Sequence, residues 1–123
     1  MSIEQILLIE DDIDLREAIE DVLLEHDYQV ETASNGKLGL KKLQESPFDL
    51  VICDIVMPEM DGIEFLQQLT GTGYNGKTLM VSGGGRLNTV DYLMIAESLD
   101  ADLTLQKPFS LEQLLNAIKE LEG

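Results

Sequence analysis

Five short apolar runs, each followed by a stretch of helical periodicity, constrain this chain more than any other feature. Gln5–Ile9 (QILLI) reads as a buried strand, and Leu15, Ala18, Ile19, Val22 and Leu23 then recur at the spacing of an amphipathic helix that Asp12 or Asp14 could cap. Tyr28–Ala33 reads as a second strand, Ser34-Asn35-Gly36 as a break, and Leu40 and Leu43 as marks of a second helix weakened by Gly36 and Gly39. Phe48–Cys53 (FDLVIC) is a third strand. Met57–Gly62 is a loop, because Pro58 lacks a donor and restricts its predecessor, and Ile63, Phe65, Leu66 and Leu69 place a third helix. Gly71–Gly76 breaks the chain again before Lys77–Val81 (KTLMV), a fourth strand. Val90, Leu93, Met94 and Leu99 suggest a fourth helix, Leu103-Thr104-Leu105 a short fifth strand, and Ser110 with Gln113 a capping box for a last helix over Leu114, Leu115, Ile118 and Leu121.

Alternating strands and helices predict an α/β fold, a doubly wound parallel sheet covered by helices on both faces. The 123 residues suit one domain, 1–123, with one core. In such sheets the functional crevice lies beyond the carboxyl ends of the strands. Those ends carry Glu10-Asp11-Asp12 after strand one, Asp54 after strand three, Ser82 after strand four and Lys107 after strand five.

Each of these residues has a plainer explanation when taken alone. Asp11 and Asp12 could only cap a helix and complement its dipole, Asp54 could open a turn, Ser82 could be turn chemistry before three glycines, and Lys107 could be a solvated charge. Their convergence on one rim is what independent turn residues do not explain. Gathered carboxylates raise one another's pKa, and a divalent cation offsets that cost. Oxygen donors suit Mg²⁺, which keeps several waters and takes one or two carboxylates plus a phosphate oxygen. One His and one Cys leave no zinc cluster. Lys107 adds a fixed positive charge, Ser82 a hydroxyl, and Asp54 a carboxylate competent to attack phosphorus, which together are parts for phosphoryl transfer.

Charge narrows the partners. With 24 acidic against 8 basic residues the formal charge is −16, a surface that repels nucleic acid and anionic membrane, suits basic protein partners or divalent cations, and also serves plain solubility. No apolar stretch approaches the ~20 residues of a membrane span, and MSIEQ lacks the pattern of a signal peptide, so the expectation is a cytoplasmic protein. Cys53 sits in an apolar run and reads as a small buried hydrophobe.

Four segments resemble the response-regulator receiver family, the CheY-like domains: ILLIEDD at 6–12, DLVICDIVMPEMDG at 49–62, MVSG at 80–83 and LQKPF at 105–109. In this order and spacing they cover essentially the whole chain. The resemblance implies a flavodoxin-like sheet in the order 2-1-3-4-5 with five helices, and a phosphoacceptor rather than an enzyme. It implies Asp54 as acceptor, Mg²⁺ held by Asp11 and Asp54 directly, by Glu10 through water and by the carbonyl of Val56, Lys107 on the phosphoryl group, and Ser82 moving to a phosphoryl oxygen after transfer. A cis Lys107–Pro108 bond is implied as well. The implied donor is a histidine kinase or a histidine phosphotransfer protein. With no output segment after the last helix, the expected action is docking to a downstream protein target or relay, with dimerisation on phosphorylation left open.

The resemblance also departs from the family pattern. Thr104 stands where the family usually has a switch aromatic, so coupling through the last strand and helix is expected to be weak or different, with Tyr92 as a substitute or an ordinary packing residue. Gly83-Gly84-Gly85-Arg86 loosens the backbone beside the site. Val56 and Gly84, at positions that often tune dephosphorylation, cannot orient a water, which leads to an expectation of slow self-dephosphorylation. Other readings remain: a phosphohydrolase with Asp12-Ile13-Asp14 as its D-x-D nucleophile motif, a flavodoxin-like electron carrier, which the acidic Glu10-Asp11-Asp12 disfavours, and a binding module that keeps only the fold. His26, near the end of the first helix, reads as a solvated or dipole-compensating residue.

Overall fold

A computed structural model describes residues 2–55, 62–82 and 101–123, with Ser82 described in its main chain only. Its elements in chain order are β1 (Gln5–Ile9), α1 (Ile13–Glu25), β2 (Gln29–Ala33), α2 (Gly36–Glu45), β3 (Leu50–Asp54), α3 (Gly62–Thr70), β4 (Lys77–Ser82), β5 (Leu103–Gln106) and α4 (Leu111–Glu122). All five strands are parallel, in the order β2-β1-β3-β4-β5. The expected helix carrying Val90, Leu93, Met94 and Leu99 lies outside the described residues, as do Tyr92, the glycine run with Arg86, and the loop at 57–61.

The central strands are apolar on both faces because both faces are covered. Along β1, Ile6 and Leu8 point to one side and Leu7 and Ile9 to the other; β3 divides likewise into Leu50 and Ile52 against Val51 and Cys53. One layer packs Ile19 and Leu23 of α1 with Leu114, Ala117 and Ile118 of α4. The opposite layer packs Phe65, Leu66 and Leu69 of α3, with Leu40 and Leu43 of α2 at its margin. Cys53 is fully buried in this second layer, as its apolar neighbours implied.

Local chemistry sets the boundaries. Asp12 is the cap of α1, its carboxylate accepting from the amides of Asp14 and Leu15 at 3.0 and 3.2 Å. Asn35 caps α2 through Leu38 N at 2.9 Å. Helix α2 forms in spite of its glycines because Gly39 faces Ile9 and Phe65: a Cβ there would collide with the Ile9 side chain. The expected capping box of α4 is present, with Ser110 and Gln113 bonded reciprocally at 2.8 and 3.0 Å. His26 is the exposed C-cap of α1, a ring nitrogen 2.9 Å from the Val22 carbonyl. Asp27 takes the left-handed turn after it, at φ 68°.

Strand β3 begins at Leu50 rather than Phe48, and Asp49 ties down its lead-in: its carboxylate accepts from the amides of Glu4 and Gln5, and its own amide donates to the Gln5 carbonyl at 2.8 Å. It runs one residue further than expected, so Asp54 is the last residue of the ladder, opposite Val81. At the amino ends of β4 and β5, Thr78 and Asp102 close a knot of three hydrogen bonds: Thr78 N and Oγ1 to the Asp102 carboxylate at 2.8 and 3.2 Å, and Asp102 N to Thr78 Oγ1 at 3.0 Å. No described helix is long and apolar enough to cross a membrane.

Candidate functional site

The register of the sheet builds the site. Ile9 lies beside Cys53, Asp54 beside Val81, and Ser82 beside Gln106, so the residues after β1, at the end of β3 and after β5 emerge at one rim. Lys107 Nζ sits between two carboxylates there, 2.8 Å from Asp54 Oδ2 and 3.0 Å from Glu10 Oε1. Glu10 is only 3% exposed and Asp54 6%, whereas Asp11 is open to solvent. Carboxylate oxygens of Glu10, Asp11 and Asp54 all lie within 4.8 Å of one another. The Lys107–Pro108 peptide bond is cis, as the motif resemblance implied.

These buried charges are mutually dependent. Burial, then the charge of Asp54, pushes the Glu10 carboxyl up from 4.5 to about 7, against the opposing pull of Lys107 and of the Asp12 amide, which donates to Glu10 Oε2 at 3.2 Å. Burial alone would lower the Lys107 ammonium, but its hydrogen bond to Asp54 and the charges of Asp54 and Glu10 outweigh that and hold it above its ordinary value. One cation shared between two buried carboxylates leaves the cluster short of positive charge. That shortage, with an all-oxygen donor set, fits a hard divalent cation better than a soft one.

Glu10, Asp11, Asp54 and Lys107 thus come together as the sequence led us to expect. For Ser82 the main chain ends β4 at the same rim, beside Gln106. Val56 and Gly84 lie outside the described residues. The Asp12 side chain caps α1 and is not among the three carboxylates gathered in the cluster. Thr104 is half-buried on β5, beside Met80 of β4.

Two supporting residues escaped the sequence reading. Arg16 Nη1 donates to the Glu10 main-chain carbonyl at 2.9 Å. A cation in the first turns of a helix opposes the helix dipole unless something else holds it, and that was the available signal. Gly62 opens α3 against the end of β3: its amide donates to Ile55 O at 2.6 Å, and a Cβ on it would lie 2.6 Å from Asp54 O. Only the three-dimensional approach makes a glycine necessary there.

Comparison with known proteins agrees with this geometry. The family model described as response regulator receiver domain matches residues 6–119. The chain is 36% identical over 123 residues to the response regulator receiver protein CpdR of Brucella abortus, covering 96% of each protein. It is 37% identical over 117 residues to a transcriptional regulatory protein CpxR homolog of Haemophilus influenzae, of which it spans 49%. Among solved structures it superposes on a CheY-like receiver domain protein from Methanospirillum hungatei with a TM-score of 0.88 at 30% identity, covering 98% of this chain and 95% of the other. The chemotaxis protein CheY4 of Vibrio cholerae gives 0.85 at 29%, covering 98% and 99%.

Proposed function

Because the chain belongs to the response regulator receiver domain family and is a phosphoacceptor of two-component signalling, we propose that Asp54 is its acceptor, in a pocket whose metal ligands are Glu10, Asp11, Asp54 and the Val56 carbonyl. The observation that carries this reading is the Lys107 ammonium held between the buried carboxylates of Asp54 and Glu10 at 2.8 and 3.0 Å. The donor is a phosphohistidine on a histidine kinase or a histidine phosphotransfer protein. The domain assists its own phosphorylation without being an enzyme in its own right, and it passes the signal on by docking or relay from the cytoplasm.

In this reading an Asp54 carboxylate oxygen attacks phosphorus, an O–P bond forms, the donor's P–N bond breaks, and the imidazole departs. Lys107 gives its ammonium to a phosphoryl oxygen in place of the Asp54 oxygen it now holds, and the rigid end of β3 keeps the nucleophile in line. Ser82 supplies a hydroxyl to the phosphoryl group after transfer. When bound, Mg²⁺ supplies the charge that lets three carboxylates and an incoming phosphate share one pocket. Val56 and Gly84 carry no group able to orient water, so self-dephosphorylation is slow.

Incubation with Mg²⁺ and acetyl phosphate, read by intact mass, tests the assignment. A single phosphoryl adduct in the wild type that is absent from Asp54→Asn is the expected result. Equal adducts in both proteins would sink it. Persistence of the adduct after the donor is removed measures the dephosphorylation rate, and decay within seconds would contradict the roles given to Val56 and Gly84.

A further inference from the structure

The chain carries three acidic residues for each basic one, yet one groove reverses that ratio. It lies between α1 and α2, at the carboxyl end of the edge strand β2, and encloses about 410 Å³. Its charged lining is Arg16, Lys41 and Lys42 against Glu45 alone, three cations to one anion. Thr32 and Ser34 add hydroxyl-bearing side chains, and Leu38 adds an apolar lip that is 45% exposed. Lys37, one turn before Lys41 on α2, is also exposed, so half of the chain's eight cations belong to this edge of the molecule.

One of these cations is loosely held by an anion. Glu31 pairs with Lys42 at 3.6 Å, but both side chains are more than a third exposed, and such pairs contribute little and open readily. Arg16 spends one nitrogen on the Glu10 carbonyl and borders the groove as well. A guanidinium has further donors to offer an anion.

We propose that this groove is a docking site for an acidic segment of a protein partner, one that places carboxylates on Lys41, Lys42 and Arg16 and an apolar side chain on Leu38. The lining favours a peptide over a nucleotide: it has no aromatic residue on which a base could stack, and its apolar surface is confined to Ala33 and the exposed Leu38. The general negative field turns acidic partners away elsewhere, so attraction confined to one edge fixes where such a segment lands. Through Arg16 the groove adjoins the main chain of Glu10, so the occupant sits one hydrogen bond from the phosphoacceptor pocket.

The test is a titration of isotope-labelled protein, in EDTA, with an acetylated Glu-Glu-Leu-Glu-Glu peptide followed by amide chemical shifts. Saturable shifts confined to Thr32, Ser34, Leu38, Lys41 and Lys42, with Glu10 following through Arg16, are expected. Lys41→Glu with Lys42→Glu should raise the half-saturating concentration about tenfold or more, and added salt should do the same. Lys41→Gln with Lys42→Gln serves if charge reversal disturbs the spectrum. Lys119→Glu, on α4, should leave binding unchanged. No saturable shift in the groove, equal weakening by Lys119→Glu, or saturation by ADP at lower concentration than the peptide would each overturn the proposal. Adduct formation on Asp54 is read separately and does not depend on the outcome.

Discussion

Glu10 should make the metal-free protein lose stability as pH rises, and Glu10→Gln should remove that loss. The carboxyl is 3% exposed and faces Asp54, so it holds its proton to about 7 when folded but only to 4.5 when unfolded. Between those values the folded state binds more protons than the unfolded one. Stability is then greatest below 4.5, falls as pH rises from 4.5 to about 7, and is level above, so far as this group decides it. At about 1.4 kcal/mol per pH unit the full loss is about 3 kcal/mol. Other carboxylates give slopes of their own, so the quantity to measure is the difference between wild type and Glu10→Gln. Urea unfolding of both proteins in EDTA across this pH range gives it directly, since any fixed cost of the amide does not titrate. Excess Mg²⁺ should flatten the wild-type curve by favouring the ionised cluster. If wild type and Glu10→Gln show the same pH dependence in EDTA, the electrostatic account of the pocket is wrong.

Lys107→Met leaves the buried Glu10 and Asp54 without their shared cation and should lower metal-free stability at neutral pH by about 3 kcal/mol, with part recovered in Mg²⁺; an unchanged urea midpoint would contradict this. Gly62→Ala forces a Cβ against Asp54 O and Ile55 N and should cost about 1–3 kcal/mol while slowing acetyl-phosphate labelling, which unfolding curves and adduct mass measure together. Ser110→Ala removes one arm of the α4 capping box and should cost about 1 kcal/mol without altering the adduct.

Much of the fold could be read because the sheet is buried on both faces. Runs such as Ile6–Ile9 and Leu50–Cys53 have no solvent face to dilute them, so they stand out as continuous apolar blocks. The caps Asp12 and Ser110 were legible for a different reason: their partners are two or three residues away. The acidic pocket was legible because strand ends deliver its residues, and parallel register brings ends together automatically. What escaped depended on distance in the chain. Nothing local to Asp49 shows that its carboxylate serves Glu4 and Gln5, more than forty residues earlier. Gly39 looked like a flaw in a helix because Ile9, against which it packs, belongs to β1. The Arg16–Glu10 bond links a side chain to a main-chain atom, and side-chain patterns carry no record of main-chain acceptors.

The Thr78–Asp102 knot fastens β5 at the end remote from Lys107. Pairing with β4 carries that anchorage along the strand to its tip, where Gln106 lies beside Ser82 and Lys107 follows. Loosening the root, by Asp102→Ala, should blur the aim of the tip at Asp54 although no atom of the pocket had been changed, and slower acetyl-phosphate labelling would show it.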